Sequence, residues 1–249
     1  MTALTWHGPR DKVYETGVEK GVLYLSGRSG VAWNGLISVV QQKTGGEITP
    51  YYMDGFAYYL HSGNQEFKAT IEAFTYPEEF LECEGVLAAP NGLFVTNQSK
   101  RSFGLSYRTL VGDPVDGTDL GYKLHLIYNA LASPADVSRN TLSDRVEPIA
   151  FSWEVTTKAP RFVGYKPTSY FVVDSRRTPT ELMTRIEEIL YGTEVAEPRL
   201  PSVEELIFMF QEYESESFDA GTLTEQYFAI IDAGDISEAY ETTIDGGVP

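Results

Sequence analysis

The sequence predicts a mainly β protein: an antiparallel β-sandwich or barrel with a flanking α-helix and a small acidic C-terminal appendage. Three observations carry this. Residues 13–175 divide into short segments with alternating apolar and polar positions, separated by turn signals. Sixteen Tyr and thirteen Phe suit sheet better than a helical bundle. The two helix-start signatures both fall after residue 175, behind the last strand pattern. A body over residues 1–195 and an acidic segment over 196–249 are therefore expected.

The clearest strand is Glu66 to Tyr76. Phe67, Ala69, Ile71 and Ala73 share one face, and Glu66, Lys68, Thr70 and Glu72 the other. Phe103 to Val111 groups Phe103, Leu105, Tyr107 and Val111. Tyr122 to Ala130 groups Tyr122, Leu124, Leu126, Tyr128 and Ala130. Ile149 to Val155 and Tyr170 to Asp174 complete the set. Strands whose second face is partly polar belong to antiparallel sheets with that face in solvent or at a subunit contact. Between residues 41 and 64 lie a Gly45-Gly46 break and two tyrosine pairs, Tyr51-Tyr52 and Tyr58-Tyr59. This stretch reads either as a projecting aromatic hairpin or as an internal one packed on the body.

Two helices follow. Thr178-Pro179-Thr180-Glu181 is a capping box with Pro at the first helical position. It precedes an apolar stripe of Leu182, Ile186, Ile189 and Leu190, and Gly192 supplies a stop. Ser202-Val203-Glu204-Glu205 opens a second helix that buries Val203, Leu206, Ile207, Phe210 and Tyr213. Residues 193–201, with Pro198 and Pro201, read as a linker. Residues 222–231 and 236–244 read as a terminal hairpin.

Composition removes several function classes. The formal charge is −17, with 36 acidic against 19 basic residues, which argues against gripping nucleic-acid phosphates. No apolar run approaches the ~20 residues that span a bilayer, so no membrane partner is expected. The N-terminus lacks a charged-then-apolar signal pattern, and the single Cys83 fits a reducing compartment. Twelve of the acidic residues and none of the basic ones lie in 201–249, so much of the charge belongs to the last fifth.

Catalytic patterns are absent. His7, His61 and His125 are far apart and lack metal-ligand spacing. Cys83 has acidic neighbours that should raise its pKa, and it reads as an apolar filler. Gly104-Leu105-Ser106 matches the first positions of a hydrolase elbow but lies within a strand pattern. Asp113, Asp116 and Asp119 do not follow calcium-loop spacing and read as turn caps. No catalytic residue, cofactor or metal is expected. A binding or structural protein is favoured over an enzyme.

Several phrases, in order, resemble the major tail proteins, or tail tube proteins, of long-tailed phages with non-contractile (siphovirus-type) tails, particularly those of actinobacterial phages. They are Tyr14-Glu15-Thr16-Gly17-Val18, Gly30-Val31-Ala32-Trp33-Asn34-Gly35-Leu36 and Ala69-Thr70-Ile71-Glu72-Ala73-Phe74-Thr75-Tyr76-Pro77-Glu78-Glu79-Phe80. Phe103-Gly104-Leu105-Ser106-Tyr107-Arg108-Thr109, Gly121 to Ala130 and Phe151-Ser152-Trp153 follow. The resemblance spans roughly residues 10–200 and does not extend to the acidic segment.

It implies a tail-tube-like β body whose copies form hexameric rings, stacked into a hollow tube. The tube surrounds a tape-measure protein and later conducts DNA without specific binding. Tail terminator and tail-tip proteins are further implied partners, and the implied location is the virion tail, after assembly in the host cytoplasm. On that reading Glu66, Lys68, Thr70 and Glu72 are candidates to face the lumen, exterior surface being the alternative. Tyr51, Tyr52, Tyr58 and Tyr59 are candidates for the contact between rings, and the 112–121 loop is a further one. A neck or tail-completion ring of the same fold and a carbohydrate-binding β-sandwich are competing readings. The acidic segment is expected to be an outer appendage.

Overall fold

The structure, a computed structural model, describes residues 8, 12–63, 65–139, 141, 148–162 and 164–219. Twelve strands lie among them. β1 (Tyr14–Leu25), β2 (Val31–Trp33), β3 (Leu36–Gly45), β4 (Ile48–Met53), β5 (Phe56–Ser62) and β6 (Gln65–Ala73) come first. A one-turn helix, α1 (Leu81–Glu84), precedes β7 (Leu87–Ala89) and β8 (Leu93–Val95). β9 (Phe103–Asp113), β10 (Gly117–Pro134), β11 (Phe151–Thr157) and β12 (Tyr170–Asp174) follow, then helices α2 (Thr180–Tyr191) and α3 (Val203–Asp219). The mainly β, antiparallel expectation holds.

Eight strands form one sheet in the order β2-β1-β9-β10-β11-β6-β3, with β12 also paired to β10. β10 is long enough to serve two partners on one edge. Its Lys123–Ile127 stretch pairs β12, and Ala130–Pro134 pairs β11. The end strands β2 and β3 are joined by only Asn34 and Gly35, so the sheet must roll until its edges meet. The seam is tight: a Cβ on Gly21 in β1 would collide with the Leu36 side chain of β3. The roll stops short of a closed barrel.

Side chains from one face of each strand fill the roll. Leu23, Phe103, Leu105, Ile71, Trp153 and Val155 are fully or almost fully buried there. Trp33, Phe80 and Trp153 form an aromatic knot, with ring centroids 4.5–5.7 Å apart and tilted or edge-on. The indole of Trp33 donates to the Thr75 carbonyl at 2.9 Å, so its one polar atom is satisfied inside the core.

Alternation in the Glu66 strand agrees with the register of β6, where Ala69, Ile71 and Ala73 are buried. The Tyr122–Ala130 grouping is corrected. Ile127 pairs Leu105 and Ala130 pairs Phe103, so one extra residue is inserted in β10. Asn129 absorbs it at φ 51°. Before the bulge Ile127 faces the roll; after it Ala130 and Ala132 do. Leu124, Leu126 and Tyr128 therefore lie on the opposite face from Ala130.

That opposite face is covered rather than solvated. Tyr24, Ser106, Leu124 and Leu126 are buried on the outside of β1, β9 and β10. The Tyr24 hydroxyl donates to the Leu190 carbonyl of α2 at 2.8 Å, and its Oη lies 3.0 Å from Ser106 Oγ. α2 buries Leu182, Met183, Ile186 and Leu190, close to the expected stripe, and stops at Gly192 with φ 78°. Its start differs from the capping-box reading. Pro179 is itself the N-cap and no side chain caps the helix; just before it, Arg177 and Thr178 donate their backbone N–H groups to the Asp174 carbonyl in a turn.

Residues 193–201 are not a loose linker. Gly30 N–H donates to the Pro198 carbonyl at 2.7 Å and Arg199 N–H to the Ile189 carbonyl at 2.9 Å, which ties the segment down. The chain divides into two compact units, 1–203 and 204–249. α3 begins directly after Ser202, as its capping signature suggests, and among its described side chains Val203, Leu206 and Met209 are buried. Of the expected buried set, Ile207, Phe210 and Tyr213 are only partly buried, and Met209 is buried instead. The expected hairpin over 222–244 lies outside the described residues.

Candidate assembly surfaces

β4 and β5 form a two-stranded sheet of their own, continuing the β3–β6 hairpin beyond Gly45 and Gly63. Between the two inner strand ends, Asp54 at φ 51° and Gly55 at φ 80° make the two-residue turn with both φ positive that matches strand twist. At the base, Gly46 sits at φ 75° with Gln65 so close that a Cβ would lie 2.7 Å from it. Every residue of both strands is exposed. Of the two readings of residues 41–64, the structure selects the projecting arm.

The arm is apolar in a way a solvated hairpin does not require. Phe56 is 79% exposed, Tyr58 75% and Tyr52 67%, with Ile48, Met53 and Leu60 exposed beside them. Tyr51 pairs Tyr59 across the ladder, with ring centroids 6.3 Å apart, and His61 lies 6.2 Å beyond Tyr59. A register shift follows, so that Tyr52 pairs Ala57 and Tyr58 is the extra residue of a bulge. The four sequence-selected tyrosines are thus together on one arm. Phe56 and Leu60 complete the surface, and sequence reasoning passed over them because it weighed only the tyrosine pairs. Burying one such ring contributes about 2 kcal/mol, so the arm holds a large unused driving force.

A second surface is the outside of β3, β6 and β11. Glu66, Lys68, Thr70 and Glu72 line up along β6, and all four lie on the face away from the core. Registers place Ser38 beside Glu72, Val40 beside Thr70 and Gln42 beside Lys68 on one flank, with Ser152, Glu154 and Thr156 on the other. Ser38 donates to the Glu72 carboxylate at 2.9 Å, and Gln42 donates to Thr70 Oγ1 at 3.0 Å. The face is a row of hydroxyls, amides and carboxylates with Lys68 and the exposed Val40 among them. Unlike the face beneath α2, it is not sealed by buried apolar side chains.

A third exposed feature is the β7–β8 hairpin, where Leu87, Leu93 and Phe94 are half exposed or more. Its base is rigid. Gly85 at φ 79° ends α1, and a Cβ there would come within 2.5 Å of the Gln98 carbonyl oxygen. Glu82 receives Arg28 at 2.8 Å and Arg101 at 3.0 Å, which holds its carboxyl below the usual carboxylate range.

The groups with potential chemistry are otherwise engaged. His125 is buried, stacked on Tyr107 at 4.5 Å, with Nδ1 2.6 Å from the Tyr170 hydroxyl and Nε2 2.8 Å from Thr109 Oγ1. Burial lowers its pKa to about 4, although the nearby Glu15 carboxylate opposes that shift. The Cys83 thiol, fully buried, is pushed up to about 12 by burial and by Glu82. Ser106 lies mid-strand in β9 rather than on a turn. Asp113 accepts the backbone N–H groups of Val115 and Asp116 at 2.8 and 2.6 Å, the turn-capping role expected of it. Among the described residues, no group of three or more His, Cys, Asp or Glu could hold a metal, and no helix is long and apolar enough to cross a membrane. His7 lies outside the described residues.

No family model matches the sequence, and no curated protein matches it. Among solved structures, the chain is similar to one from the PVC sheath–tube complex of an extracellular contractile injection system in its extended state. That match has a TM-score of 0.32 and 11% identity, covering 62% of this chain and 88% of the other. It is also similar to a chain of the 6-fold symmetrised anti-feeding prophage (AFP) baseplate, with a TM-score of 0.33, 6% identity, and coverage of 70% and 100%.

Proposed function

We propose that this chain is a structural virion protein, the tail tube subunit of a long-tailed, non-contractile phage. Its copies form rings, six to a ring, that stack into a hollow conduit for DNA. The observation that carries the reading is the β4–β5 arm, an apolar hairpin held in water by its own strand pairing. A single soluble chain gains nothing from it, whereas a polymer buries it at every step. The ordered sequence phrases shared with tail tube proteins supply the particular assembly.

In this reading Tyr51, Tyr52, Tyr58 and Tyr59 make the contact between rings. Glu66, Lys68, Thr70 and Glu72, on the face not covered by α2, line the lumen. Carboxylates and neutral hydroxyls repel or ignore phosphates, so DNA passes without being held. The tape-measure, terminator and tip proteins are partners of the assembled tube, not of the free subunit. The chain acts as no enzyme and uses no cofactor. The acidic segment, 196–249, is an outer appendage of the 1–195 body.

The test is sedimentation velocity at rising concentration on the wild type and on the Tyr52→Asp/Tyr58→Asp variant. The wild type is expected to form large species, and the variant to stop at a single layer with at least a tenfold smaller fast-sedimenting fraction. Equal assembly by both would overturn the role of the arm. A wild type that stays monomeric and binds glycans would favour the carbohydrate-binding alternative instead.

A further inference from the structure

The β7–β8 hairpin has no part in the reading above, yet it shares two properties with the arm. It lies within a run, residues 85–99, that contains no charged side chain, and the arm strands with their turn (48–62) contain only Asp54. Both are two-stranded ribbons, each its own sheet, so both carry unpaired backbone edges. Leu93 is 61% exposed and Phe94 50%. Gly85 and the Arg28–Glu82–Arg101 cluster anchor the base and preorganise this apolar tip.

Two copies of a chain at −17 repel wherever charged surfaces face each other. They approach closely only where neutral surfaces meet, and these hairpins are two such surfaces with matching chemistry. Because they are different parts of one chain, a contact between them is heterologous: each copy offers one of each, so the contact can pass from copy to copy.

We infer that the β7–β8 hairpin is the receptor on a second copy of this chain for the β4–β5 arm. The two meet through apolar side chains and strand-edge pairing. This rests on the proposed role of the arm and names its partner.

The experiment uses the full chain with Leu93→Asp/Phe94→Asp (receptor variant) or Phe56→Asp/Tyr58→Asp (arm variant), sized by sedimentation alone and mixed one to one. Protection of Cys83 from a thiol reagent verifies the fold of each, since that side chain is fully buried. Each variant alone should stop at one layer. The mixture should double in size and stop, because one intact arm meets one intact receptor. A folded receptor variant that assembles like the wild type overturns this inference while leaving the arm's role standing. An arm variant that assembles like the wild type overturns both. A mixture that fails to double overturns the pairing, and a receptor variant that still dimerises through its arm identifies arm-to-arm contact instead.

Discussion

His125 is one member of a buried chain of rings and hydroxyls whose parts come from five strands. Tyr107 stacks on it from β9 and Tyr170 flanks it from β12, while Glu15 of β1 lies 3.4 Å away and Lys123 of β10 pairs that same carboxylate. Gln41 of β3 donates to the hydroxyls of Tyr107 and Tyr170. The folded protein holds this imidazole neutral down to about pH 4, whereas in the unfolded chain it protonates near 6.5. Between those values the unfolded state binds the extra proton, so stability falls as pH drops from about 6.5 to about 4. The full loss is on the order of 3 kcal/mol. Urea unfolding of the wild type and of His125→Gln across that range should show the slope in the former and a reduced slope in the latter. A parallel dependence in both would contradict the assignment. In the sequence His125 stood alone because its partners lie up to 110 positions away and meet only through sheet registers.

At the scale of elements, alternation located five of the twelve described strands, β6 and β9 to β12, since period-two patterning is what a half-buried strand imposes. It failed where a strand changes face. β1 carries register shifts at Gly17 and around Lys20, and β10 shifts at Asn129; each extra residue reverses the parity that alternation relies on. Nothing in a two-residue pattern marks such a step, although Asn at a left-handed position is a physical hint. Asn129→Gly should therefore change stability by less than about 0.5 kcal/mol. Asn129→Val should cost roughly 1–2 kcal/mol, because a β-branched residue fits that backbone poorly. Urea midpoints at constant slope would verify the pair, and a neutral valine would mean that the bulge can migrate. The helix α2 was legible as an amphipathic stripe. Its seat over β1, β9 and β10 was not, because apolar residues on both faces of a strand look like an interrupted alternation.

For the whole molecule, sequence composition marked where charge accumulates, and the structure marks where it is missing. The arm and the β7–β8 hairpin are exposed, apolar and nearly uncharged, while the outer face of β3, β6 and β11 is polar and lightly acidic. The tyrosines of the arm and the polar face of β6 could be named from sequence because pairing and alternation are local. The receptor hairpin could not, since a short apolar run reads as core until its exposure is known. The outer side of the rolled sheet, sealed by α2 over β1, β9 and β10 and left polar over β3, β6 and β11, suits a wall between an outside and a channel. Electron microscopy of the purified full-length protein at rising concentration tests this most directly. The account predicts stacked rings that lengthen into hollow tubes of constant diameter; a population that remains dispersed single chains at every concentration would contradict it.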